Sequence, residues 1–268
     1  AVWNDPANPH TPLLDATGRV WLTTRVRHPD NPDWCQEGSD NKYSKNFPLT
    51  RAGRHTGYFD PEAEKFVLID TCFGTHHLQF AEDENDTLYF SGDRQVIGWL
   101  DTKVYDETGD ERYSQGWCPT VLDTNGDGKI TKPWNEPPAR GSNEAPNYDA
   151  SLDTRVNIGA YGVIASPLDN AAWIVSDDFP GRMLRLDRGD NPPETCVSEM
   201  YTVPVEKGYR TRGLDVDRNG VFWTALAGSS HFASFDRSKC SVFSGPEMRD
   251  GRQCDCLLYT SPSPRDRG

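Results

Sequence analysis

Residues 212–225 read RGLDVDRNGVFWTA: an alternating apolar strand, an Asp-Arg-Asn-Gly turn, and a second strand centred on Trp223. The same phrase occurs three times earlier, as HTPLLDATGRVWLTT (10–24), HLQFAEDENDTLYFSG (77–92) and YGVIASPLDNAAWIVS (161–176). Two apolar strands around an Asn/Asp/Gly turn predict an antiparallel hairpin. A hairpin restated along one chain predicts a repeat architecture, in which each copy buries its face against the next.

Downstream of each hairpin a third strand ends in Asp: Asp60, Asp101, Asp187 and Asp236. In the last three copies this Asp lies 12, 14 and 13 residues beyond Tyr89, Trp173 and Trp223. In the first it lies 39 beyond Trp21, so about 26 residues interrupt that copy. The Asp column reads as turn chemistry, its carboxylates taking backbone N–H groups two residues on. Residues 65–70 (KFVLID) and 198–203 (SEMYTV) supply fourth strands. Four antiparallel strands per copy make a propeller blade, with Trp21, Tyr89, Trp173 and Trp223 packed between blades. The expected fold is therefore all-β: a β-propeller fragment of four or so four-stranded blades, from a parent of about six or seven. Residues 1–255 form this partial propeller, with polar surface insertions at about 28–54 and 103–155.

With 268 residues and 35% hydrophobic content, the chain can bury a substantial core. No apolar run is long enough for a membrane span, and no charged-then-apolar leader is present. A net charge of −13 argues against nucleic acid as a partner and favours cations, the alternative being an acidic surface that serves solubility alone. The first residue is Ala1, so a processed or cut start is expected. Residues 256–266 (CLLYTSPSPRD) look like a translated sequencing adapter, so 256–268 are expected to be foreign and the chain a fragment of shotgun-derived sequence. Six cysteines remain, scattered singly without C-x-x-C. This disfavours a zinc cage and fits an oxidising compartment, with Cys240–Cys254 the favoured pair.

Residues 123–131 (DTNGDGKIT) carry the sharpest local motif. Oxygens on Asp123, Asn125 and Asp127, a glycine at the sixth position and the Lys129 carbonyl suit one hard cation, Ca2+. The twelfth position is Trp134 rather than Glu and Pro133 forbids an exiting helix, so Glu136 is the candidate closing carboxylate. The competing reading is an ordinary Asn-Gly/Asp-Gly turn.

Blade topology gathers a second group at the channel face. His10, His77, Tyr161 and Arg212 fall 11 or 12 residues before their aromatics, with His76, Arg210, Asp93, Asp177, Asp178 and His231 on the same loops. Imidazoles beside Arg and Tyr transfer protons, hold a divalent metal, or bind an anionic or carbonyl group. The same histidines equally suit loop backbone bonding, and Arg212 suits pairing with Asp215 or Asp217. There is no Gly-rich phosphate loop, nucleophile elbow or H-E-x-x-H pair.

The stretches DATGRVWLTT (15–24), MLRLD (183–187) and DRNGVFWTA (217–225) resemble the NHL, SMP-30 and streptogramin B lyase group of propellers. Through residues 70–92 and 212–227 the chain is similar to exported bacterial propeller proteins, some with an appended regulatory-like domain. The resemblance implies export to the periplasm or beyond. It also implies, by analogy with the lyase, His231 as the general acid/base candidate; blade topology offers His77 for the same role and Arg212 to hold an anionic group. Matching metal-binding carboxylates are not found. The expected role is binding a small molecule or polymer end at the channel face through His10, His76, Tyr161 and Arg210. The alternatives are a lyase or hydrolase using His77, Arg212 and His231, and a protein-interaction scaffold.

Overall fold

The computed structural model describes residues 7–139, 147–254 and 258–262. The chain divides into two compact units, one ending at Cys118 and the other beginning at Pro119. Each unit contains two consecutive sheets, and each sheet contains one of the repeated hairpins.

In the first unit, β1 (His10–Leu14), β2 (Val20–Thr24), β3 (His55–Asp60) and β4 (Lys65–Ile69) pair in chain order. The strands β5 (Thr75–Phe80), β6 (Thr87–Gly92), β7 (Val96–Asp101) and β8 (Gln115–Pro119) do the same. The second unit carries β9 (Val121–Leu122), β10 (Thr154–Arg155), β11 (Ala160–Ala165), β12 (Ala172–Ser176), β13 (Arg182–Asp187) and β14 (Val197–Thr202) in one six-stranded sheet. Its last sheet is β15 (Thr211–Val216), β16 (Val221–Leu226), β17 (His231–Asp236) and β18 (Leu258–Pro262). The pairs from β1 to β4, β5 to β7, β11 to β14 and β15 to β18, and β9 with β10, are antiparallel, whereas β14 and β9 are parallel. These are the antiparallel sheets the repeats predict.

The sheets depart from expectation at three places. Gln115–Pro119, inside the stretch read as an insertion, is the fourth strand of the second sheet; wholly buried, it lacks the alternation that marks a half-exposed strand. Val121–Leu122 and Thr154–Arg155, also read as insertion, widen the third sheet to six strands. At the tail, Leu258–Pro262 pairs with β17. Main-chain N–H and C=O groups make that pairing, and any extended segment supplies them. The rest of 255–268 lies outside the described residues.

Turn chemistry follows the Asp column in three copies. Asp60 accepts from the Glu62 and Ala63 N–H groups, Asp187 from Gly189, and Asp236 from Ser238. Asp101 instead accepts the Thr87 hydroxyl, and the chain turns directly into helix α2 (Thr102–Thr108). Asp15 is the most heavily used turn carboxylate. Against the opposing pull of burial, hydrogen bonds from Trp21, Thr17 and Arg19 hold it at a pKa of about 2.

Within each unit the first strands lie side by side, β1 beside β5 and β11 beside β15. Trp21, Tyr89 and Trp173 are buried as expected. Trp21 packs on Tyr58 at 4.7 Å between ring centres, and Trp173 stacks on Phe222 of the next sheet at 4.1 Å. In the fourth copy the buried aromatic is Phe222; Trp223, on the opposite face of β16, is half-buried against Phe232.

Residues 28–54 keep a largely exposed surface but are anchored inward through a few buried side chains, among them Cys35, Tyr43 and Leu49. Tyr43 of helix α1 (Lys42–Asn46) lies against Trp99 and Trp117, at 5.6 and 5.3 Å. It fits because Gly116 has no side chain: a Cβ there would meet Trp99 at 2.4 Å. Cys35–Cys72 staples the same segment to the sheets across 37 residues, and Cys240–Cys254 forms as expected. Cys118 and Cys196 are also disulfide-bonded. Among the described residues no helix is long and apolar enough to cross a membrane.

Two stability measurements test this arrangement. Closing a 37-residue separation restricts the unfolded chain, so the Cys35→Ala/Cys72→Ala pair should cost about 2–4 kcal/mol in denaturant unfolding; a loss below about 1 kcal/mol would show the staple to be dispensable. His55 is 1% exposed, its Nε2 bonded to the His28 carbonyl and its Nδ1 accepting the Thr71 N–H. Burial lowers its pKa below 6.5, so on acidification the unfolded chain takes up the proton before the folded one. Stability present above about pH 6.5 is therefore lost as pH falls towards the folded-state value. The melting temperature should drop between pH 7 and 5 and drop less in His55→Gln; identical slopes would exclude His55 as a source.

Candidate functional site

All four first strands are bulged near their beginning. The pairing slips between His10 and Leu13, Thr75 and Leu78, Ala160 and Gly162, and Thr211 and Leu214. Each bulge adds an unpaired residue that bends the strand and re-aims its side chains. His10, His76, Tyr161 and Arg212 each stand three positions before the residue paired with their copy's aromatic: Leu13 with Trp21, Gln79 with Tyr89, Ile164 with Trp173, Asp215 with Trp223. The register equivalent of His10 is thus His76, with His77 one residue further on. Counting from the aromatic missed this because the hairpin turns differ in length.

In the first unit the bulges bring three imidazoles together. His10 lies 4.3 Å from His76 and 4.9 Å from His77 between ring centres, and His76 lies 4.5 Å from His77. One potential ligand atom from each falls within 4.8 Å of the others, and all three residues are half-buried. Two imidazole nitrogens bound to one ion at about 2.1 Å stand at most about 4.2 Å apart, so coordination needs only a small closure.

The backbone around the trio is tightly held. The Ser91 hydroxyl accepts the His77 N–H, which lies within the bulge, and the Thr23 hydroxyl donates to the His76 carbonyl from the neighbouring sheet at 2.7 Å. Gly92, at φ +116°, lets the partner strand approach; a Cβ there would meet the Thr75 carbonyl carbon at 2.5 Å. Asp93 bonds the Gly74, Gln95 and Val96 N–H groups, so its carboxylate serves the turn. Thr11 adopts φ +47°, a strained conformation for a β-branched residue, and its hydroxyl lies 2.9 Å from His10 Nδ1. Such a contact fixes the ring orientation of a ligating imidazole.

Arg54 immediately precedes β3, and its carbonyl accepts the N–H of Thr75, the neighbour of His76. It is 8% exposed, and its Nη1 is enclosed without a hydrogen-bond partner. Burial, and then the like charge of Arg25, pull its pKa below the ordinary arginine value. Other buried arginines are neutralised: Arg155 by Glu136, and Arg185 by Asp169, Asp187 and Glu199. No carboxylate among the described residues pairs with Arg54. Sequence reasoning passed over it because a single Arg before a strand carries no motif.

In the second unit the equivalent positions also meet. The Arg212 guanidinium lies over the Tyr161 ring at 4.3 Å, in place of the ion pair expected with Asp215 or Asp217. Arg210, at φ +61°, points Nε to the Asp177 carbonyl at 3.2 Å. Asp178 accepts the Gly159 N–H and an Arg182 guanidinium bond. His231 opens β17 half-buried, with Nδ1 enclosed and unbonded. The trio therefore belongs to one unit, and Arg212 and His231 to the other.

The Asp123 loop also lies in the second unit. Asp123 accepts the Gly126 and Gly128 N–H groups, Asn125 that of Asp127, and Asp127 that of Lys129. Glu136, the expected closing ligand, is exposed and held by Arg155 Nε at 2.7 Å and the Trp134 indole at 2.7 Å. Asp153, overlooked in the sequence because it lies 30 residues beyond Asp123, is fully buried beside the loop. Its Oδ2 accepts the Thr131 N–H, and its pKa is raised by burial and by the negative charges of Asp123 and Asp127.

No protein-family model and no curated protein matches the chain. Solved structures do. Regucalcin, a calcium-binding protein from Agrobacterium tumefaciens, is 12% identical over 96% of this chain and 75% of that one, at a TM-score of 0.33. Virginiamycin B lyase from Staphylococcus aureus is 10% identical over 97% and 86%, at 0.30. The extracellular domain of a hybrid two-component system from B. thetaiotaomicron is 14% identical over 85% of this chain and 29% of that one, at 0.39. Regucalcin and the lyase are propeller proteins of the kinds the blade pattern resembles. At these identities and scores the likenesses carry no argument about chemistry, which rests on the side chains described above.

Proposed function

We propose that the chain is part of an exported six- or seven-bladed propeller whose first-strand face binds a small molecule or polymer end, with His10, His76 and His77 holding a divalent transition ion. The observation that carries this reading is the convergence of the three imidazoles from two adjacent bulged strands. Three neutral imidazoles suit Zn2+ and its neighbours, and three protein ligands leave a coordination position for a ligand oxygen. The unpaired Arg54, joined through its backbone to the strand that carries His76 and His77, favours a ligand bearing an anionic oxygen. Disulfide bonding fits an oxidising compartment and hence export.

Recognition is preferred to turnover because the histidine trio of the first unit suffices for it, without Tyr161 and Arg210 of the second unit, which the sequence also offered as ligand-binding residues. A lyase or hydrolase using His77 with Arg212 and His231 draws on both units. The scaffold reading is less favoured, since one of the two segments it rests on, residues 28–54, is anchored to the core through Tyr43 and Cys35.

Metal binding by the trio is tested by titrating the full chain with Co2+ and following the visible absorption of the ion. One ion per chain is expected, with affinity falling at least about tenfold in each of His10→Ala, His76→Ala and His77→Ala. Wild-type protein showing no Co2+ uptake, or a His76→Ala variant binding as wild type, would overturn the proposal.

A further inference from the structure

We infer that Asp153 joins Asp123, Asn125, Asp127 and the Lys129 carbonyl to form a calcium site that ties residues 123–131 to β10. The loop alone presents acidic and amide oxygens whose bonds an ordinary turn would also make. Asp153 separates the two readings. It is 0% exposed, its Oδ2 is bonded to the Thr131 N–H, and its Oδ1 is enclosed without a hydrogen-bond partner. A buried carboxylate oxygen with no donor is costly unless a cation completes it.

Its position is imposed by the surrounding backbone. Asn135 accepts the Asp149 N–H and donates to the carbonyls of Asp149, Leu152 and Asp153, while its main chain bonds Asp153 and Arg155. Thr124 reaches across to the Leu152 carbonyl and the Thr154 hydroxyl at 3.1 and 2.9 Å. These contacts bring Asp153 close enough to Asp123 and Asp127 for their charges to act on it. Asp153 thereby supplies the late carboxylate that Trp134 cannot, while Glu136 stays on Arg155. Only oxygen donors are present, and the three carboxylates outweigh the single ammonium of Lys129, so the set is net negative, which selects a hard cation with flexible coordination. The Asp123 carbonyl accepts the Gly245 N–H at 2.7 Å, so the ion would also steady the segment closed by Cys240–Cys254.

Calorimetric titration of the EGTA-stripped full chain with CaCl2 tests the assignment, independently of the histidine trio. One ion per chain is expected, with a rise of several degrees in melting temperature. Asp153→Asn and Asp127→Asn should each weaken affinity at least tenfold, while Glu136→Gln should stay within twofold of wild type. No uptake at 1 mM Ca2+ (about physiological for an exported protein), or loss in Glu136→Gln with none in Asp153→Asn, would overturn it. If Asp153→Asn does not fold, a calcium-soaked crystal of the wild type decides: Oδ1 of Asp153 at about 2.3–2.6 Å from the ion supports the site, and an ion bound without Asp153 refutes it.

Discussion

Face-to-face packing of successive sheets is the interaction on which the rest depends. Trp21 against Phe80 in one unit, and Trp173 against Phe222 in the other, place large rings between neighbouring sheets at the positions the hairpins repeat. With the sheets held in that way, the first strand of one lies beside the first strand of the next. Residues distant in sequence but equal in register then become neighbours: His10 with His76, and Tyr161 with Arg212. The bulge in each first strand turns this register into chemistry, because an unpaired residue is free to aim its side chain away from the ladder.

Charge balance separates architecture from function. Glu199 is buried, yet it receives Arg185, both arms of Arg237 and the Tyr201 hydroxyl, so its charge is neutralised within the fold. Burial, and then the charge and hydrogen bond of Glu199, push the Tyr201 hydroxyl above its usual range against the opposing pull of Arg237. Arg54 and Asp153 form no ion pair among the described residues, and each is buried with a polar atom left unbonded. A buried ionic group that its own protein does not neutralise is destabilising, and a bound partner of opposite charge is the physical means of offsetting it. The two positions are opposite in charge, so the proposals made for them are of opposite partners: an anion for Arg54 and a cation for the Asp123 loop.

The amino-acid sequence by itself determined the repeats, the four sheets, most of their strands and one disulfide. Period-2 alternation, turn residues and a recurring aromatic are local signals, and hairpin formation is a local event. It also brought out the three histidines and the Asp123 loop as chemically unusual. Tertiary structure decided everything that depends on pairing register or on distant chain segments. It made Gln115–Pro119 a strand although its burial on both faces hides the alternation. It anchored residues 28–54 to the core through Tyr43, for which Gly116 leaves room. It gave Phe222, not Trp223, the slot between sheets, since adjacent strand residues face opposite ways and register alone chooses between them. Asp153 and Arg54 were illegible for the same reason: a side chain's missing partner is a property of three-dimensional surroundings, which no stretch of sequence contains.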